Sequence, residues 1–154
     1  MMAWDSSVKL PVHQLLVYPI ARYGWDTESY QENAKAAPLG RADMRWFFDH
    51  YLRNPADGKS PMISLVDAKK LKGLPNATII TAEIDPLRSE GRTYADRLRK
   101  AGVEVDYRNY EGVTHEFFGM AAAVDKAKQA VQQAGAGLKR AFSASASAST
   151  EAGR

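Results

Sequence analysis

Apolar residues fall along this chain in short runs that switch between two periods. Residues 12–20, "VHQLLVYPI", are nearly continuous in apolar and β-branched character, the pattern of a strand covered on both faces. Residues 77–83, "ATIITAE", repeat it after the turn sequence "GLPN". Residues 103–110, "VEVDYRNY", alternate more strictly between Gly102 and Gly112, as suits a strand nearer a sheet edge. Between these runs the period becomes helical. "RADMRWFFDHYLR" (41–53) sets Met44, Phe47, Phe48, Tyr51 and Leu52 on one face before Asn54 and Pro55 stop it. "RSEGRTYADRLRKA" (88–101) sets Tyr94, Leu98 and Ala101 on one side and meets a capping Gly102. An alanine-rich helical pattern follows from about 118 to 142, weakened in its last third by Gly135 and Gly137.

Strand and helix alternating three times predict parallel βαβ units, hence an α/β fold with a three-stranded parallel sheet and flanking helices. Right-handed crossovers put all the carboxyl ends of such strands on one edge, where open α/β sheets bind ligands and do chemistry. Two residues stand there. Asp85 follows the second strand in "IDPLRSEG", and His115 follows the third in "EGVTHEF". Neighbouring strands lie about 4.8 Å apart, so loops leaving the same edge can bring a carboxylate to an imidazole. An aspartate so placed fixes the tautomer of the ring and stabilises its cation when it takes a proton. Read singly, Asp85 before Pro86 also suits a turn or helix cap, and His115 a surface loop.

Composition narrows the classes. The 154 residues suit one domain, assigned to residues 1–142, with a Ser/Ala-rich run at 143–154 whose composition predicts disorder. A net charge of +3 is mild, and the clusters around Lys69–Lys72 and Arg97–Lys100 lack interleaved aromatics, so no nucleic-acid partner is expected. Without cysteine there is no disulfide or thiolate metal site; no metal spacing links His13, His50 and His115, and no cofactor is expected. No G-x-G-x-x-G follows a strand, which argues against a dinucleotide site. The start "MMAWDSSVKL" lacks a signal-peptide layout and no apolar run reaches membrane-spanning length; a soluble cytoplasmic protein is expected.

The stretches "LLVYP", "SYQENA", "MRWFFDHYL", "SPMISLVDAKKLKGLPNATIITAEIDPLRSEG" and "YADRLRKAGVEVDYRNYEGVTHEFFGM" occur in that order from about Leu15 to Met120, roughly two thirds of the chain. In them the chain resembles the C-terminal part of α/β-hydrolase fold-3 proteins, the bacterial esterases and lipases of the hormone-sensitive-lipase type. The resemblance implies that Asp85 and His115 hold the acid and base positions of a Ser–Asp–His triad. It also implies that the three strands correspond to strands six to eight of the parent fold.

Triads in this fold occur in the chain order Ser, Asp, His, with the serine in a G-x-S-x-G elbow. None of the eleven glycines opens such a motif. The nearest stretch, "GKSPM" at 58–62, lacks the second glycine and leaves Ser60 without an elbow. An H-G-G-G-type oxyanion loop is absent as well, so the sequence lacks both nucleophile and oxyanion hole. The expected function is thus the C-terminal portion of a carboxylic-ester hydrolase whose serine lies outside this chain. The alternatives are a non-catalytic binding or assembly domain, or a weak hydrolase in which Asp85 and His115 activate water.

Phe117, Phe118 and Met120, beside His115, are expected to wall a site for a small acyl ester. Trp46, Phe47, Phe48 and Tyr51 suit either a core or an acyl pocket, and "RYGWDTESYQEN" (22–33) is a candidate lid. The 12–20 strand would pair, in the complete fold, with the strand carrying the nucleophile. Left as an apolar edge, it predicts a homodimer through a continuous sheet, or docking of a missing N-terminal half.

Overall fold

The structure, a computed structural model, describes the backbone of residues 8–152 and the side chains of residues 8–145. The most apolar run becomes the central strand. β2 (Ala77–Ile84) lies between β1 (Gln14–Val17) and β3 (Val105–Thr114), and both neighbours run parallel to it. The α-helices among the described residues are α1 (Glu28–Glu32), α2 (Arg41–Tyr51), α3 (Arg88–Lys100) and α4 (Asp125–Ala152).

Residues 77–82 of β2 are buried, which accounts for a sequence without polar alternation. On one face Ile79 packs with Leu16 and Tyr107 beneath Tyr94, Ala95 and Leu98 of α3. On the other, Ile80 and Ala82 pack with Leu15, Val17 and Tyr110 beneath Ala127, Ala130 and Ala134 of α4. The alanines of α4 let its backbone lie close to the sheet. A Cβ on Gly137 would stand 2.3 Å from Thr78 Oγ1, so this glycine is required by the approach of helix to strand. The helix therefore passes through Gly135 and Gly137 without breaking; packing outweighs a propensity cost of about 1 kcal/mol per glycine. Its last described residue is Ala152. Residues 153–154 lie outside the described residues.

The first strand is shorter than its apolar run. It ends at Val17 because Tyr18 turns into positive φ (35°), a backbone conformation outside the extended strand. The third is longer, reaching Thr114, with an irregularity opposite Glu83. A third apolar cluster of Tyr30, Leu39, Met44, Phe48 and Leu87 sits over the carboxyl edge of the sheet.

Candidate active site

Strand ends deliver the two central residues. Asp85 is the first residue after β2 and is wholly buried; His115 is the first after β3, with 16% of its side chain exposed. Nδ1 of His115 donates to Asp85 Oδ2 at 2.7 Å. The other carboxylate oxygen, Oδ1, accepts the Leu87 N–H at 2.8 Å, so the aspartate caps its own turn and orients the imidazole at once.

An irregular stretch of β3 sets the reach of the histidine. Ala82 pairs with Tyr110, but Ile84 pairs with Thr114, so residues 111–113 bulge out opposite Glu83. Gly112 makes the bulge with φ 67°, and its N–H donates to the Glu83 carboxylate. Glu116, at φ 73°, turns the chain immediately after His115.

The 22–33 segment braces the aspartate loop. Ser29 Oγ donates to the carbonyl of Pro86 at 2.6 Å and accepts from Ser89 N–H at 3.0 Å. Asn33 donates to the carbonyl of Asp85, and Arg88 pairs with Glu32. Tyr30 is wholly buried, its hydroxyl pKa pushed up by burial and, less, by Glu90 and Asp85.

Sequence reasoning missed Tyr18. Its ring lies 4.4 Å from that of His115, tilted by 46°, and its hydroxyl oxygen accepts the Phe118 N–H at 3.1 Å. Burial raises the pKa of this phenol. The sequence placed Tyr18 inside a strand; only the neighbouring proline hinted at a turn.

Beside His115 opens a cavity of about 450 Å³, walled mainly by Met44, Phe47, Phe48 and Tyr51 of α2, with Ile20 and Met62 opposite. Phe117, by contrast, is 1% exposed and packs with Tyr110 in the core under α4. Phe118 packs against the same cluster and Met120 faces solvent; none of the three lines this cavity. Trp46 stacks on His50 instead, and His13 bonds Thr78 near the amino end of β2. Ser60 Oγ accepts from Met62 N–H, and among the described residues Nε2 of His115 bonds no serine. Nor, among them, do three or more His, Asp or Glu gather as a metal site, and no helix is long and apolar enough to cross a membrane.

Comparison with known proteins identifies the fold family. The alpha/beta hydrolase fold family described as Abhydrolase 3 matches residues 1–119. The carboxylic ester hydrolase LipN of Mycobacterium tuberculosis is 39% identical over 111 residues, 71% of this chain and 30% of its own length. The carboxylesterase NlhH of the same species is 37% identical over 136 residues, 86% of this chain and 43% of its own. An esterase of Pyrobaculum calidifontis superposes with a TM-score of 0.85 at 36% identity, over 90% of this chain and 46% of that one. The chain thus spans less than half the length of these relatives. With a parallel sheet of this order, and a match that covers most of its residues, the chain belongs to the α/β-hydrolase fold-3 family and corresponds to part of an esterase-type hydrolase fold.

Proposed function

We propose that this chain contributes the acid and base of a Ser–Asp–His carboxylic-ester hydrolase, and that a segment outside the sequence contributes serine and oxyanion donors. One observation carries the reading: the buried Asp85 carboxylate accepts Nδ1–H of His115, which leaves Nε2, 4.0 Å from the Glu116 carboxylate, to accept a proton beside a largely apolar cavity. In this reading Nε2 takes the proton of an attacking serine hydroxyl as the serine oxygen bonds to the ester carbon. It then gives that proton to the departing alcohol oxygen, and the same pair activates water to cleave the acyl-serine. Asp85 holds the tautomer. Phe47, Phe48 and Met44 suit an apolar group of a small ester.

A second reading, an assembly domain without turnover, draws support from the lack of a serine bonded to Nε2 among the described residues. A third has Asp85 and His115 activate water alone, where general-base catalysis contributes about 10²–10⁴-fold.

A labelled fluorophosphonate and a short-chain p-nitrophenyl ester separate the three. The chain is assayed alone and mixed with an esterase fragment bearing a G-x-S-x-G segment. Turnover and labelling of the fragment's serine only in the mixture, both lost on His115→Ala, support the first reading. Turnover by the chain alone, unlabelled and lost on His115→Ala, selects the third. Labelling of this chain overturns the premise that its serines are inactive, and silence throughout selects the second.

A further inference from the structure

Glu90 is a buried acid that the proposed chemistry does not use. It lies on α3, five residues beyond Asp85, and is 1% exposed. One oxygen, Oε1, accepts two consecutive backbone N–H groups, Ala21 at 2.7 Å and Arg22 at 3.2 Å. The other, Oε2, is buried and has no hydrogen-bond partner among the described residues; the hydroxyl of Tyr30 is in the same condition.

That asymmetry has chemical content. An ionised carboxylate spreads its charge over both oxygens, and burying one of them bare is among the costlier arrangements a fold can hold. A protonated carboxyl has one accepting carbonyl oxygen and one O–H, which matches two bonds on Oε1 and none received by Oε2. The charged and titratable groups facing Glu90 are Arg22 from the segment after β1, Tyr30 from α1 and Asp85 from the loop after β2. Arg22 is the single cation among them, and its guanidinium is engaged by the exposed Asp26. Burial, with a smaller contribution from Asp85, raises the Glu90 pKa to about 8, against the pull of the two backbone N–H bonds.

The two clasped amides belong to the segment that carries Tyr18 against His115 and Ile20 along the cavity wall. On its other side Glu90 rides the helix that begins at the Asp85 turn. We propose that Glu90 is a positioning residue, a neutral carboxylic acid that fastens the Tyr18–Arg22 segment to the Asp85 helix and so fixes the seat of the His115 ring.

This rests on the geometry of the Asp85–His115 pair, not on turnover, so it is tested on the 154-residue chain without any ester. Two readouts decide it: the downfield proton resonance of His115 Nδ1–H bonded to Asp85, and thermal melts from pH 4.5 to 9. A carboxyl whose pKa is higher folded than unfolded contributes fully below its unfolded value and loses that contribution as pH rises to the folded value. Wild type should therefore lose stability between about 4.5 and 8 on account of Glu90. Glu90→Gln, which copies the neutral acid, escapes that loss. We expect its melting temperature to gain on wild type steadily across the window and level off above it, with the downfield proton retained. Glu90→Ala should lose or broaden that proton while circular dichroism stays folded; if it does not fold, Glu90→Asp, too short to hold both amides, takes its place. A Glu90→Gln gap that is flat or shrinks with rising pH overturns the neutral acid. An unchanged downfield proton in the folded alanine or aspartate variant overturns the positioning role.

Discussion

The ring of Tyr18 lies against that of His115 while its hydroxyl oxygen receives the N–H of Phe118, three residues beyond the histidine. One side chain from the end of β1 thus holds both the ring and the turn that follows it. Tyr18→Phe keeps the ring contact and leaves that N–H without its acceptor, so urea denaturation should report a loss of about 1–2 kcal/mol. Tyr18→Ala should lose more and, by removing the ring current, shift the His115 ring protons; Tyr18→Phe should leave those shifts nearly in place.

Two neighbours on α2 line the cavity at different depths. Phe48 is 4% exposed and packs in the cluster over the sheet edge, and Phe47 is half exposed on the cavity wall. Phe48→Ala should cost about 3–5 kcal/mol in chemical denaturation. Phe47→Ala should change stability far less and weaken retention of an apolar probe such as an anilinonaphthalene dye, read by its fluorescence.

The pH response at the far end of the sheet has the opposite sign to that of Glu90. Burial foremost, then Arg140, lowers the His13 pKa below its ordinary 6.5. The folded protein then binds fewer protons here than the unfolded chain, so this contribution is present above the unfolded pKa and lost as pH falls through the folded one. Urea midpoints should drop more steeply below about pH 6.5 in wild type than in His13→Asn.

A fourth test concerns β1. Its even-numbered N–H groups face β2, as Gln14 to Asn76 and Tyr18 to Ile80 show, which leaves Leu15 and Val17 N–H on the outer side, without a strand partner among the described residues. If two copies join there, light scattering at micromolar concentration should give about twice 17.0 kDa. Leu15→Pro, which removes an outward donor and spares the ladder to β2, should return the monomer mass. A monomer for wild type would leave the edge to a different polypeptide.

The sheet and the Asp85–His115 pair were legible in the sequence because both depend on short-range signals: an apolar run, then a turn, at the same end of successive parallel strands. The cavity was not. Met44, Phe47, Phe48 and Tyr51 share one helical stripe, and a stripe alone does not distinguish side chains that meet another layer from those that meet a cleft. Phe117 and Phe118 stand next to His115 in sequence, yet the positive φ of Glu116 turns them inward to α4. Tyr18 was hidden for the same kind of reason, since the backbone leaves the strand at Tyr18 while the apolar run continues to Ile20.

Asp85 and His115 are bonded to each other inside a single folding unit, each at the end of its own strand, with the aspartate also held by the Leu87 N–H. The entropic cost of bringing them together is met during folding rather than at the moment of reaction. Under the proposed function, a complementary fragment would need to deliver a serine hydroxyl and oxyanion donors to a nitrogen already aimed. If the proposed function holds, the boundary ahead of β1 becomes a place to divide such a hydrolase into two halves that switch on when they meet.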